Sequence, residues 1–190
     1  KISSYSIDSS KSNSFKESNN NIASEEEMNI AREWSQKILK GGYILFFRHA
    51  EREKWTDVIM YDALETDLHN NGINESRYAE NTYFSKAVCL NSRGKVQAKA
   101  MKEVIDLSKL PIGFRISSPS CRARQTANEV FGGYDKLDKI LLHKGPYYEN
   151  MNQRKEKLRD FVLSLPLQKD KNTIISAHNG VVDNNMFINM

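Results

Sequence analysis

Ile44-Leu45-Phe46-Phe47 is an uninterrupted apolar run that stops abruptly at Arg48-His49. A run this short, with no polar residue inside it, is expected to be a strand covered on both faces. Such a strand delivers whatever follows it to the carboxyl edge of a sheet, where open α/β folds place their ligand sites. The arrangement recurs twice. Phe114-Arg115-Ile116-Ser117-Ser118 leads through Pro119 to Arg122, and Thr173-Ile174-Ile175-Ser176-Ala177 leads to His178. One Arg-His pair after a strand is ordinary, but two arginines and two histidines after three buried strands point to a shared site. Arg48 and Arg122 would form a permanently charged fork suited to a phosphoryl group, and the helix start expected at Ser118-Pro119 would add backbone N–H donors.

Between these strands the apolar residues recur at helical spacing. Ser24-Glu25-Glu26-Glu27 has the pattern of a capping box, after which Ile30, Ala31, Trp34 and Ile38 share a face until Gly41-Gly42. Val96, Ala100, Val104 and Leu107 form a second stripe, and Ala123, Ala127 and Val130 a third, with Pro119 in the first turn of that helix. Both are expected to be core. Leu158, Phe161, Val162 and Leu165 make a fourth stripe. Residues 112–117, 140–142 and 173–177 read as short buried strands. Strands alternating with helices imply an α/β fold, a three-layer α/β/α sandwich around a mostly parallel sheet.

The chemistry-bearing segments fall into a familiar order. Arg48-His49-Ala50-Glu51, Asn91 to Ala98, Ser117 to Ala127 and His178-Asn179-Gly180 resemble the four signature segments of the histidine phosphatase superfamily, in the branch that holds phosphoglycerate mutases and small phosphohistidine phosphatases. The resemblance spans residues 42 to 182 and implies a phosphoglycerate mutase-like fold. It implies that His49 is the nucleophile that accepts the phosphoryl group. Arg48 and Arg122 would then bind the phosphoryl oxygens, with His178 contacting the group from the other side. No metal and no cofactor are needed in that scheme. This branch places its acidic proton donor where Glu149 lies, although a carboxylate there also suits the first turn of a helix. Glu51, two residues from His49, is the second candidate. In the superfamily's other branch the donor is an aspartate after the second histidine, where this chain has Asn179, and an amide cannot supply that proton. That branch's longer Arg-His-Gly-x-Arg-x-Pro signature is also absent, because Ala50 replaces the glycine and no proline follows.

Other phosphatase chemistries fail on spacing. A cysteine phosphatase needs an arginine six positions after its thiolate, but those positions hold Lys95 after Cys89 and Ala127 after Cys121. His49, His69, His143 and His178 are scattered singly, His69 and His143 in expected loops, and neither a zinc motif nor a nucleotide-triphosphate loop occurs. Cys89 and Cys121 can pair, but two cysteines make no disulfide framework, so they read as small buried thiols.

The expected activity is hydrolysis of phosphate monoesters or a phosphoprotein through a phosphohistidine. A phosphomutase, or a phosphate-binding module without turnover, are the alternatives. At 190 residues the chain suits one catalytic domain over 24–190, after a polar, flexible leader over 1–23. A net charge of +4, without a basic stripe, gives no reason to expect a nucleic-acid partner. No membrane-spanning stretch is expected, and oligomeric state is not legible. The chain begins at Lys1 rather than a methionine, so export and a cytoplasmic location stay equally open, and a helical pattern from Val181 to Ile188 has no stop signal.

Residues 51–91 form an insertion of about 40 residues, longer than an ordinary connection and expected to shape the substrate pocket. Eight acidic residues against Arg52, Lys54, Arg77 and Lys86 give this segment a net charge of −4, opposite in sign to the whole chain. An acidic flap above a phosphate clamp would repel polyanions. Trp55, Tyr61, Tyr78 and Tyr83 could line that pocket or simply pack the insertion down.

Overall fold

The structure, a computed structural model, describes residues 23–53, 88–142 and 151–179. Helix α1 (Glu25–Ile38), strand β1 (Ile44–Arg48), helix α2 (Ser92–Ser108), strand β2 (Ile112–Ser117) and helix α3 (Cys121–Phe131) come first. Strand β3 (Lys136–Leu137), a 3-10 turn (Lys139–Leu141), helix α4 (Met151–Ser164) and strand β4 (Asn172–Ala177) follow. The strands form one all-parallel sheet in the order β1-β4-β2-β3.

Alternation along the strands divides the core into two layers. Ile44 and Phe46 of β1 join Ile175 and Ala177 of β4 on one face, packed on Leu158 and Val162 of α4 and on Leu165 just after it. Leu45 and Phe47, with Ile174, point the other way toward Ala98 of α2 and Val130 and Phe131 of α3. Period-2 alternation with both faces apolar is why residues 44–47 carry no polar residue, whereas β4 buries Thr173 and Ser176 by bonding their hydroxyls to the Pro166 and Ala123 carbonyls. The result is the expected three-layer α/β/α sandwich. Phe47 and Phe131 meet edge-on with ring centroids 4.8 Å apart, a contact that stabilises by about 1 kcal/mol beyond the area it buries.

Ser24 caps α1 as expected: its hydroxyl accepts from Glu27 N–H, and the Glu27 carboxylate accepts from Ser24 N–H in return. Yet α1 buries none of its residues. Ile30 is 40% exposed, and only Trp34 and Ile38 of the expected face are part-buried. The stripe assigned to α2 is on the wrong side. Val96, Val104 and Leu107 are 67%, 65% and 84% exposed, while Gly94 and Ala98 are buried and Met101 and Ile105 pack against the core. Gly94 lies about 200° around the helix from Val96, so the two stripes oppose each other. The side with the smaller residues wins because α2 runs close against the backbone after β1. A Cβ on Gly94 would collide with the Glu51 carbonyl.

Leu141 and Leu142 are buried as expected and Ile140 is half-buried, but residues 140–142 are not a strand. Asp138 Oδ1 accepts from Ile140 N–H at 3.1 Å and closes a 3-10 turn, while the short strand sits earlier, at Lys136–Leu137. Helix α3 begins at Cys121 with Ser120 as its N-cap, so Pro119 precedes the helix rather than occupying its first turn. Cys89 and Cys121 are not thiols. They form a disulfide with Cα atoms 4.9 Å apart, because the segment entering α2 crosses the start of α3.

Among the described residues no helix is long and apolar enough to cross a membrane. The leader up to residue 22, most of the insertion with its four aromatic residues, His69, His143, Glu149 and the pattern after Val181 lie outside the described residues.

Asn172 opens β4 and ties three elements together. Its side chain donates to Ile38 and Pro111 carbonyls at 2.7 and 3.1 Å and accepts from Tyr43 N–H at 3.2 Å. Replacing it with alanine strands buried backbone groups, so Asn172→Ala should lower unfolding free energy by about 2–4 kcal/mol in urea titrations. Val104→Ser, on the exposed face of α2, should change it by less than about 0.5 kcal/mol. Equal effects would contradict the assigned burial.

Candidate active site

The register of the parallel sheet brings the two histidines together. Arg48 of β1 stands opposite Ala177 of β4, and His49 N–H donates to the Ala177 carbonyl at 2.9 Å, so the ladder runs one residue past the strand. His49 and His178 therefore leave neighbouring strands at the same level. Their ring centroids are 5.1 Å apart at an interplanar angle of 62°, close to the spacing of the strands themselves. Ser117 of β2 pairs with Ser176 on the other side of β4, and Ser118 N–H donates to the Ser176 carbonyl. Three strand ends thus meet at one edge.

Arg122 reaches this edge from the first turn of α3. Its Nε donates to His49 Nε2 at 3.2 Å, and the residue is 2% exposed. The helix is anchored on both sides: Ser176 Oγ donates to the Ala123 carbonyl at 2.8 Å, and Ala50 N–H donates to Thr126 Oγ1 at 3.0 Å. His49 Nδ1 lies 2.6 Å from its neighbour's carbonyl, Ala50 O. A carbonyl can only accept and a guanidinium can only donate, so the network assigns the proton to Nδ1 and the lone pair to Nε2.

His49 resists a positive charge. Removal from water, then the charge of Arg122, drives its pKa down from the ordinary value to about 3, with smaller pushes from Arg48 and Arg52 against the pull of the Ala50 carbonyl. Arg48 itself is exposed at the end of β1.

His178 is 2% exposed, and its Nε2 lies 3.0 Å from Ser118 Oγ, which is fully buried. Ser118 Oγ also accepts from Ser120 N–H at 3.4 Å. The hydroxyl proton needs an acceptor, and among the described residues that is His178 Nε2. His178 then carries its own proton on Nδ1. From sequence, Ser118 marks only an expected helix start and Thr126 is one position of a matching segment, and neither side-chain hydroxyl carries a role there. Hydroxyls just after a buried strand and one turn into the next helix were the signal.

Glu51 is held at the start of α2 rather than against the histidines. Its carboxylate accepts from Asn91 Nδ2 at 3.1 Å and Gln97 Nε2 at 3.2 Å, and Arg93 lies 3.5 Å away. Asn91 in turn caps α2 by accepting from Gly94 N–H at 2.7 Å. Glu149, the other acid expected from sequence, lies outside the described residues. No group of three or more potential metal-ligating side chains occurs among the described residues.

No family model matches the chain, and no curated protein does. Solved structures do. One of them is a phosphoglycerate mutase. That enzyme, from Plasmodium falciparum, is 22% identical over 48% of this chain and 65% of its own, at a TM-score of 0.37. TTHB049 from Thermus thermophilus is 21% identical over 49% and 65%, at 0.36, and Rv3214 from Mycobacterium tuberculosis 16% over 47% and 61%, at 0.38. The match spans less than two thirds of each of these structures.

The site makes its own test by NMR. Nitrogen shifts should place the ring proton on Nδ1 of both histidines at neutral pH, and His49 should take up no second proton until the pH falls to about 3. A histidine in the unfolded chain protonates near about 6.5, so this depressed value leaves stability full above that pH and erodes it as pH falls toward 3. His49→Gln should flatten that acid slope. Titration of His49 near its ordinary value would contradict the geometry.

Proposed function

We propose that the chain is a histidine phosphatase superfamily enzyme, hydrolysing phosphate monoesters or a phosphoprotein through a phosphohistidine on His49. The observation that carries this reading is the hydrogen bond from Arg122 Nε to His49 Nε2. It sets a permanent cation against the Nε2 lone pair, so a phosphoryl group that displaces this contact meets both at once. A phosphoryl group placed there faces a nucleophile that is already neutral and a donor that matches its oxygens.

The reaction would run in two displacements. Arg122, Arg48 and His178 bind the three non-bridging oxygens, and His49 Nε2 attacks phosphorus in line with the ester oxygen. The phosphorus–nitrogen bond forms as the phosphorus–oxygen bond breaks. The departing alkoxide takes a proton from Glu149, leaving its carboxylate. That carboxylate then accepts a proton from water as the water oxygen attacks the phosphoryl group, which restores His49 and releases inorganic phosphate. Phosphoryl transfer has a loose transition state, so positioning and charge supply most of the acceleration, and this edge offers both. Holding Nδ1 against Ala50 O keeps Nε2 available through the cycle and stabilises the cationic ring of the intermediate. No step calls for a metal.

The acidic insertion would favour a monoester whose remainder is neutral or cationic. Faster turnover of polyanionic esters than of cationic ones would remove that preference.

Rapid quenching with an activated phosphoryl donor tests the chemistry. An acid-labile, alkali-stable phosphoprotein should form in the wild type and be absent in His49→Ala, with hydrolysis down by at least about 10³-fold. Glu149→Gln should slow an alkyl phosphate by about 10²–10³-fold and an aryl phosphate with a good leaving group far less. An undiminished phosphoprotein in His49→Ala would refute the nucleophile, and an unchanged alkyl rate in Glu149→Gln would refute the acid.

A further inference from the structure

The disulfide between Cys89 and Cys121 falls at a position that serves more than general stability. Cys121 is the first residue of α3 and the immediate neighbour of Arg122. Cys89 belongs to the short segment 88–90 that returns from the insertion toward α2. This segment touches the first turn of α3 at three successive residues. Val88 accepts from Arg122 Nη1 through its carbonyl, at a long 3.5 Å, Cys89 is bonded to Cys121, and Leu90 N–H donates to Gln125 Oε1 at 2.8 Å. Val88 and Leu90 are buried, Cys121 is 2% exposed and Cys89 is half-buried.

We propose that this bridge is a positioning device for Arg122, so that the affinity of the site for phosphate depends on whether Cys89 and Cys121 are joined. The inference rests on the hydrolase reading. An arginine side chain has several rotatable bonds, and fixing its head against His49 costs conformational entropy unless the surroundings restrict it. The bridge supplies that restriction covalently. It holds the Val88 carbonyl over the guanidinium at one end while Nε meets His49 Nε2 at the other. Without it, segment 88–90 keeps these two hydrogen bonds to α3, each contributing about 1 kcal/mol, and the packing of Leu90 in the layer that holds Val130 and Phe131, none of which fixes the Val88 carbonyl covalently.

A dithiol reductant opens the bridge in a balanced exchange. One thiolate of the reductant attacks the sulfur of Cys89, the better exposed of the pair, and Cys121 leaves as a thiolate at the N-terminus of α3 beside Arg122, where negative charge is favoured. The second thiol of the reductant then closes its own disulfide, so two electrons and two protons pass to Cys89 and Cys121.

The test compares the oxidised full chain, the same protein after dithiothreitol, and the C89S/C121S variant, all checked for unchanged circular dichroism. Titration with inorganic phosphate and steady-state hydrolysis of an aryl phosphate are the readouts. Opening the bridge should weaken phosphate binding and raise KM by about ten-fold, with a smaller loss in kcat, as expected when one charged contact is loosened. Reoxidation should restore both, which a general loss of stability would not require. Should the thiol forms unfold, the bridged Gln125→Ala variant carries the test: with the covalent link intact its phosphate affinity should stay within about two-fold of the wild type, whereas a larger fall assigns the positioning to the hydrogen bond from Leu90 instead. Equal phosphate affinity in the oxidised and reduced forms, or a fall of more than about two-fold in the bridged Gln125→Ala variant, overturns the bridge proposal alone. Oxidised protein that neither binds phosphate nor becomes phosphorylated overturns the hydrolase reading with it.

Discussion

The contact between Arg122 Nε and His49 Nε2 depends on parallel register, and most of the described chain serves that register. Arg48 opposite Ala177 fixes the level at which His49 and His178 emerge, and Ser117 opposite Ser176 fixes the level of the turn into α3. A slip of one residue in either pairing would turn every side chain of that strand to the other face and carry one partner away from the edge. The two apolar layers prevent that slip, because Ile44 and Phe46 belong to one layer and Leu45 and Phe47 to the other. Core packing and site geometry are therefore one constraint.

Electrostatics sharpen what the register assembles. Burial, and then the arginine beside it, makes protonation of the His49 imidazole costly, which keeps Nε2 unprotonated near neutral pH. On the proposed reaction, an incoming phosphate dianion would meet an excess of positive charge and a neutral ring, and would supply the balancing negative charge. Ser118 and Ala50 O add direction, each engaging one nitrogen of a histidine and so fixing the orientation of its ring.

The strands and the residues after them were legible because a continuous apolar run closed by a polar pair has few other readings. His49, His178 and Arg122 were found that way, as were the stripes of α3 and α4. The face of α2 was not, since Val96-Val104-Leu107 and Gly94-Ala98-Met101-Ile105 both satisfy helical spacing. Only the close approach of the Glu51 backbone decides between them. The 3-10 turn at Lys139–Leu141 escaped because burial alone does not distinguish a turn from a strand, and the deciding contact is one Asp138 oxygen. Pairing of Cys89 with Cys121 escaped for a different reason: 32 residues separate them, and their proximity is a product of the fold rather than of local sequence. Glu51 shows the reverse case, a carboxylate near the nucleophile in sequence whose partners in space belong to the start of α2.

The most direct measurement is a crystal structure of the protein soaked with tungstate, using the anomalous signal of tungsten to locate the anion. The expected result is one strong peak bonded to His49 Nε2, with its oxygens within hydrogen-bonding reach of Arg122 and His178. A peak at another surface, with His49 and Arg122 still bonded to each other as they are here, would contradict a phosphoryl site at this edge.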